Sequence, residues 1–243
     1  MNKWLIVLGV LAVWFVLMEI QNRKQRPLFE KVEKENPELL DGRFQKNPVL
    51  RRKFMRALVK YCCTQGFSPL AFAQARGAAQ MAKEPLDRAA CAMLMALNLE
   101  EKGDYGALVE AIRLYDEVLE AEPFNLKALY LKAKALGAIG EADCVELFEE
   151  VIRRAPENYI YRNNYGSALL RIRRFEEAEV QLKKAAELND SLSNPHELLY
   201  LLYSAGDRRE EAERALSAAV NRGSDESGLR AACRTFLENL KEE

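Results

Sequence analysis

The chain has 243 residues, of which 49% are hydrophobic and 30% are charged. This apolar fraction supports a sizeable buried core and excludes an intrinsically disordered chain. The 36 basic and 37 acidic side chains leave a formal charge of -1, which argues against a dedicated nucleic-acid-binding protein because such proteins carry a basic excess.

The five cysteines and the single histidine, His196, do not form a recognisable site. No two cysteines have the Cys-x-x-Cys spacing, so we predict neither a zinc site nor a disulfide framework, and we expect reduced, buried thiols. The sequence also has no glycine-rich phosphate loop and no nucleophile paired with a base. We therefore predict no catalytic residue, no cofactor and no metal, and a protein that is not an enzyme.

The N-terminal stretch of the chain is strongly apolar. From Trp4 to Ile20 the only charged residue is Glu19, and a helix of this length spans about 25 Å, close to the thickness of a hydrocarbon core. A cleaved secretory signal is the alternative, but the residues that end and follow the stretch, EIQNRKQR, lack the small side chains of a cleavage site. We predict an uncleaved transmembrane anchor over residues 1–21, with residues 4–20 in contact with lipid.

The charges that flank this span predict its orientation. Lys3 precedes the span, whereas a basic cluster follows it. The cluster consists of Arg23, Lys24, Arg26, Lys31 and Lys34. Because basic residues are retained on the cytoplasmic side, we expect a single-pass protein of the bacterial cytoplasmic membrane with a cytoplasmic body; a periplasmic body is the alternative. Residues 22–47 are charged and interrupted by prolines, which predicts a juxtamembrane linker; packing of this segment on the first repeat helix is the alternative.

The clearest pattern in the body of the chain covers residues 159–190 and predicts two amphipathic helices joined by a tight turn. Apolar and small residues recur there at steps of three and four, the period of a helix face. In the first helix they are Tyr165, Gly166 and Leu169, and in the second Phe175, Ala178, Leu182 and Ala185. Gly166 and Ala178 are small enough to let two antiparallel helices approach closely.

The spacing of these residues resembles the tetratricopeptide repeat (TPR), a helix pair of about 34 residues. The pattern extends to neighbouring segments, because Ala111, Cys144 and Ala178 follow one another at nearly equal intervals that match the length of this repeat. One such helix pair cannot bury its apolar face alone, so neighbouring pairs are expected. The resemblance implies an all-α, TPR-like right-handed α-solenoid of about five helix pairs plus a C-terminal capping helix, preceded by the one transmembrane helix.

The predicted repeat domain covers residues 48–227. Its units cover residues 52–85, 86–125, 126–158, 159–191 and 192–226. In the second unit, residues 106–108 look like a three-residue insertion before the second helix. Residues 228–243 are predicted to form a capping helix and tail that cover the last apolar face, and a docking helix for a partner is the alternative.

Proteins of the TPR family line a concave groove with the first helix of each pair. Projecting the family's groove positions onto this chain selects residues in four units. They are Lys53, Arg56 and Lys60; Lys127, Tyr130 and Lys134; Asn163, Ser167 and Arg171; and His196, Tyr200 and Tyr203. This basic surface with tyrosines and amides suits an extended acidic or amphipathic peptide. The alternative for each residue is an ordinary solvated helix face, and for His196 a capping or packing role.

This layout predicts a membrane-anchored scaffold or assembly factor that recruits or organises partner proteins at the membrane through the groove. The partner would be an extended peptide or a subunit of a membrane complex, and no nucleic acid is expected. A constitutive accessory subunit of a larger membrane complex is the alternative. An RNA-binding helical-repeat protein is a third hypothesis, but the groove residues show no base-reading code that recurs from repeat to repeat.

Overall fold

The structure is a computed structural model that describes residues 27–64 and 66–242. These residues form helices and turns and contain no strand, which confirms the predicted all-α class. The predicted transmembrane anchor, residues 1–21, lies outside the described residues. Within the described ranges, no helix combines the length and the apolarity needed to cross a bilayer.

The α-helices of the described residues are numbered α1 to α12 along the chain. They are α1 (27–35), α2 (Pro48–Cys62), α3 (Pro69–Ala79), α4 (Pro85–Glu100), α5 (Tyr105–Ala121), α6 (Leu126–Ile139), α7 (Cys144–Arg154), α8 (Tyr159–Arg171), α9 (Phe175–Leu188), α10 (Asn194–Ala205), α11 (Arg209–Val220) and α12 (Glu226–Glu242). The chain divides into two compact units after Gly103. This division falls between α4 and α5, the two helices of the predicted repeat 86–125.

Local chemistry sets where several of these helices begin. Pro48, Pro69 and Pro85 occupy the first turns of α2, α3 and α4, where a missing backbone N–H costs no helical hydrogen bond. Asp104 caps α5 by accepting a hydrogen bond from the Ala107 backbone N–H at 2.8 Å. Residues 106–108 therefore belong to α5, which has 17 residues against the 11 of α7, so the extra residues lengthen the helix and not the turn before it.

In the first unit, the segment before α2 is folded onto the helices. Val32, Leu40 and Phe44 are buried, and the Phe44 ring stacks on Phe54 of α2 with the ring centroids 4.7 Å apart. The Phe44 backbone N–H donates to the buried carboxylate of Asp87 at 2.6 Å. These side chains are thus part of the core of this unit, as in the alternative in which the linker packs on the first repeat helix.

A buried amide connects α3 and α4 in the same unit. Asn98 is fully buried, and its Nδ2 donates to the Ser68 carbonyl oxygen at 2.7 Å while its Oδ1 accepts from the Ser68 backbone N–H at 2.8 Å. The backbone N–H and C=O of Ser68 are therefore both hydrogen-bonded without water. These two bonds hold the turn before α3 against α4.

The second unit is built from helical hairpins. The pairs α6–α7, α8–α9 and α10–α11 are neighbours, and the first helices α6, α8 and α10 also pack side by side. Phe148 of α7 stacks on Tyr165 of α8 with the ring centroids 5.1 Å apart, and Leu169 and Leu182 are fully buried between α8 and its neighbours. Burial of such large side chains supplies about 1.5–3 kcal/mol each.

The turns inside these hairpins show the repeat in the backbone. Gly140, Arg173 and Asp207 all have positive φ, at 85°, 63° and 52°, and they follow one another at nearly equal intervals along the chain. Each lies in the turn between the first and second helix of a pair. A left-handed residue at the same place in three turns identifies equivalent positions in the three pairs.

Two glycines lie where helices of the second unit approach closely. A Cβ atom added to Gly137 of α6 would lie 2.5 Å from the Cβ of Ala168 in α8. A Cβ atom added to Gly166 of α8 would lie 2.6 Å from Cγ of Leu182 in α9. Both distances are far below normal carbon–carbon contact, so these helix spacings require glycine.

Replacing Gly137 by alanine should lower the free energy of unfolding of this unit. Overpacking costs about 1–3 kcal/mol, and the better helix propensity of alanine returns at most about 1 kcal/mol. Gly166→Ala should cost less, because the Leu182 side chain can rotate whereas the Ala168 Cβ is fixed to its backbone. Urea unfolding followed by circular dichroism measures both changes.

The control is Gly106→Ala in α5 of the same unit, where the added Cβ meets only Asp104 Oδ1 at an ordinary 3.6 Å. This variant should be neutral or slightly stabilising. Equal unfolding midpoints for Gly137→Ala and Gly106→Ala would contradict the close-packing argument.

Candidate functional site

The first helices of the three hairpins in the second unit are α6, α8 and α10, and they lie side by side. The side of these helices that carries the predicted groove residues is here called the α6–α8–α10 face. Tyr130 of α6 accepts a hydrogen bond from Asn164 Nδ2 of α8 at 2.9 Å, and its ring lies 4.4 Å from the Tyr161 ring. Asn163 Nδ2 of α8 donates to Asn194 Oδ1 of α10 at 2.6 Å. These contacts join α6 to α8 at the predicted residue Tyr130, and α8 to α10 at the predicted residue Asn163.

The predicted residues on α6 and α8 remain at least partly open to solvent. Lys127, Tyr130 and Lys134 of α6 are half-buried, as are Asn163 and Ser167 of α8. Arg171, at the end of α8, is exposed. The α6–α8–α10 face therefore combines basic, aromatic and amide groups in the second unit.

The predicted residues on α10 lie elsewhere than the sequence suggests. Tyr200 and Tyr203 are each only 6% exposed and belong to the core, so neither ring lines an open surface. Because Arg173 and Asp207 are equivalent turn residues, α8 and α10 can be aligned on them. In this alignment Tyr200 of α10 corresponds to Gly166 of α8, on the side that packs against the second helix of the pair. His196 is half-buried, and burial and the nearby Arg222 lower its pKa.

The residues of α10 that do occupy the face are Glu197 and Leu201, which correspond to Asn163 and Ser167 of α8. A sequence signal for this register exists. Residues 174–179 read RFEEAE and residues 208–213 read RREEAE, so nearly the same string recurs one repeat later. Aligning the two strings, instead of following the apolar period of α10, selects Leu201 and not Tyr200.

The predicted residues of α2 belong to the other compact unit. Lys53, Arg56 and Lys60 are exposed and lie on one side of α2, because steps of three and four residues return to the same helix face. The structure thus brings together the predicted residues of α6 and α8, and it leaves those of α2 in the first unit.

A cavity of about 640 Å³ opens at the α8 and α10 part of this face. Its walls come from three helices of the second unit. They are formed by Ser167, Leu170 and Arg171 of α8, Arg173 of the following turn, Leu198 and Leu201 of α10, and Ala232, Thr235, Phe236, Asn239 and Leu240 of α12. The cavity therefore joins predicted groove residues to the C-terminal helix.

The C-terminal helix α12 is held across the second unit at three places. Cys233 is 4% exposed and packs in the core beside Tyr200, while Arg230 makes two hydrogen bonds to the Glu213 carboxylate of α11, at 3.1 and 3.0 Å. Near its end, the Leu240 carbonyl oxygen accepts from Arg173 Nη2 at 3.2 Å. The helix predicted to cap the stack thus also forms one wall of the cavity.

A carboxylate on α9 connects this helix to the next helical pair. Glu179 accepts hydrogen bonds from Arg208 Nη1 at 2.6 Å and from Tyr203 Oη at 3.1 Å, and it pairs with Lys183 at 2.6 Å. Because Arg208 donates to it, and Lys183 adds further hydrogen bonding and charge, the pKa of Glu179 falls to about 2. The network joins α9 to α10 and to the turn before α11.

Replacing Glu179 by glutamine should lower the free energy of unfolding by about 1–3 kcal/mol at neutral pH, because charge-assisted hydrogen bonds are lost. A carboxylate with a depressed folded-state pKa contributes its full stability above its unfolded value of 4.5 and loses it as pH falls through about 2. The difference between the two proteins should therefore shrink over that window. Urea titrations at pH 7, 4 and 3 measure it.

Glu187→Gln is the control, since the Glu187–Lys184 pair at 3.1 Å lies on the solvent-exposed surface of α9. Exposed pairs of this kind contribute at most about 1 kcal/mol and usually less. A loss at Glu187 as large as that at Glu179, or a difference that does not depend on pH, would contradict the structural role of the network.

The thiols have two different environments. Cys91, Cys144 and Cys233 are buried, and burial raises the pKa of Cys91 to about 12 and that of Cys144 to about 11. Cys62 and Cys63, at the end of α2, are exposed, contrary to the expectation that all five thiols are buried. Within the described residues, no group of three or more His, Cys, Asp and Glu side chains could hold a metal ion.

Comparison with known proteins identifies the fold. No protein-family model and no curated protein matches the chain. Solved structures of MamA do resemble it. "MamA 41-end" from Desulfovibrio magneticus RS-1 has a TM-score of 0.59 and 19% identity, over 77% of this chain and 97% of that chain. An RS-1 MamA double mutant has a TM-score of 0.61 and 20% identity, over 73% of this chain and 94% of that chain. MamA of AMB-1 has a TM-score of 0.57 and 20% sequence identity, over 71% of this chain and 95% of that chain.

These likenesses place the chain, by its fold, among TPR-like helical-repeat proteins. The resemblance inferred from the sequence is confirmed at that level. At about 20% identity the likeness concerns the fold alone, and function is argued from the surface of this chain.

Proposed function

We propose that this protein is a membrane-anchored, non-enzymatic scaffold that recruits or organises partner proteins through the α6–α8–α10 face. The observation that carries the proposal is the placement of Tyr130, Asn163, Ser167 and Arg171 along one face, beside an open cavity. Side-by-side first helices form an extended surface, which suits a partner segment better than a small molecule.

The chemistry of this face supports a protein partner. Lys127, Lys134 and Arg171 supply positive charge, while Tyr130 and Asn163 supply an aromatic ring and an amide. Tyrosine and arginine are enriched where proteins meet, because they combine a large contact area with directional hydrogen bonds. A partner segment with acidic and apolar side chains would complement this surface.

The membrane part of the proposal rests on the sequence. The apolar run from Trp4 to Ile20 supports a membrane anchor, and the basic residues after it favour a cytoplasmic body. A scaffold tethered in this way would keep its partners at the bacterial cytoplasmic membrane.

A photocrosslinking amino acid at Ser167 should capture a partner protein in intact membranes, because Ser167 lines the cavity on the proposed binding face. The matched position is Val180, which is 61% exposed on α9, a second helix of its pair. Mass spectrometry of the crosslinked bands identifies what is captured at each position.

Capture from Val180 but not from Ser167 would place the binding surface on the second helices and refute the proposed face. Purification in detergent then separates two roles. A recruiting scaffold should lose its partner on dilution, whereas an accessory subunit of a membrane complex would remain bound at fixed stoichiometry.

Membrane anchoring should depend on residues 1–21. The full-length chain should remain in the membrane pellet after alkaline carbonate extraction, and a variant that lacks residues 1–21 should move to the supernatant. Protease added to inside-out vesicles should digest the body if it is cytoplasmic. Extraction of both proteins by carbonate would refute the anchor, and a protected body would assign it to the periplasmic side.

A further inference from the structure

The cavity between α8, α10 and α12 has a distinct chemistry. Its lining includes the apolar side chains of Leu170, Leu201 and Phe236 together with the basic side chains of Arg171 and Arg173. Among the described residues that line it, none is acidic. The cavity thus offers an apolar surface next to positive charge.

Three short side chains of the lining can form hydrogen bonds. Ser167 and Thr235 carry hydroxyl groups, and Asn239 carries an amide, so a bound backbone could find both donors and acceptors. The volume of about 640 Å³ is within the range of about 300–1,000 Å³ typical of ligand pockets. It can accept one or two large side chains of a bound segment, but not a folded domain.

We infer that this cavity anchors a partner polypeptide segment through one or two large apolar side chains that lie beside a carboxylate. The apolar side chains enter between Leu201 and Phe236, and the carboxylate pairs with Arg171. Arginine favours this arrangement because its planar guanidinium can hold both oxygens of a carboxylate. The inference rests on the proposed function and names the chemistry of the partner.

The inference also gives α12 a role in binding. Phe236 and Asn239 of α12 line the cavity together with Leu201 of α10, so α12 is a wall of the site. Phe236→Ala weakens the packing of α12. A partner that displaced α12 would bind this variant more tightly, whereas a partner that binds beside α12 would bind it more weakly.

Three fluorescein-labelled synthetic peptides of equal length test the inference against the full-length chain in detergent. The first has a central leucine–phenylalanine pair flanked by glutamates, the second replaces the glutamates by lysines, and the third replaces the apolar pair by serines. In fluorescence anisotropy titrations the first should bind at least tenfold more tightly than either of the others, because only it meets both features of the cavity.

A charge exchange tests the role of Arg171. Arg171→Glu should weaken the acidic peptide at least tenfold and strengthen the lysine peptide, an inversion that loss of folding cannot produce. The matched control is Arg209→Glu, whose side chain is exposed at the start of α11 and outside the cavity lining. This control should leave both affinities within twofold.

Phe236→Ala should weaken the acidic peptide. Tighter binding by this variant, equal binding of the acidic and lysine peptides, or no binding of any peptide would each overturn the inference. Capture of a partner at Ser167 together with any of these results would leave the proposed scaffold function standing and reject only this description of its partner.

Discussion

The arrangement of the second unit depends on the close approach of helices at two glycines. At Gly137 the backbones of α6 and α8 come together across Ala168, and at Gly166 those of α8 and α9 come together across Leu182. These spacings let the first helices pack side by side, so that their polar residues share one face. A methyl group at Gly137 would meet the fixed Cβ of Ala168 and force α6 and α8 apart, whereas one at Gly166 would require the Leu182 side chain to move.

The same packing explains why the face and the core use different residues of each first helix. On α8, Gly166 packs against Leu182 of the second helix and Leu169 is buried in the core, whereas Ser167 and Arg171 remain open. The network around Glu179 ties the next pair to this one, and arginine and lysine stabilise its charge. The charges of this network thus tie the two pairs together, whereas Arg171 lies at the cavity on the face.

Most helices of the second unit could be predicted, because residues at steps of three and four identify each buried side. The register of α10 could not be read from that period. The apolar residues of α10 occur on more than one side of the helix. By periodicity alone Leu198 and Leu201 would be assigned to the core and Tyr200 to the surface, whereas in the structure the two leucines line the cavity and Tyr200 is buried. The turn string that recurs from one repeat to the next resolves the ambiguity that periodicity leaves. The stacking of Phe44 on Phe54 was equally beyond prediction, because no local pattern pairs two residues from different segments.

The sequence by itself determined the helical class, the positions of the turns and the family of folds, because these follow from local periodicity, capping residues and breaks in the chain. Only the tertiary structure decided how exposed the residues of this face are, and it placed α12 as a wall of the cavity beside Arg171 and Leu201. The physical reason is that side-chain exposure depends on how closely neighbouring helices pack. That distance is set by contacts between residues of successive repeats, such as Gly137 and Ala168, which lie far apart in the sequence.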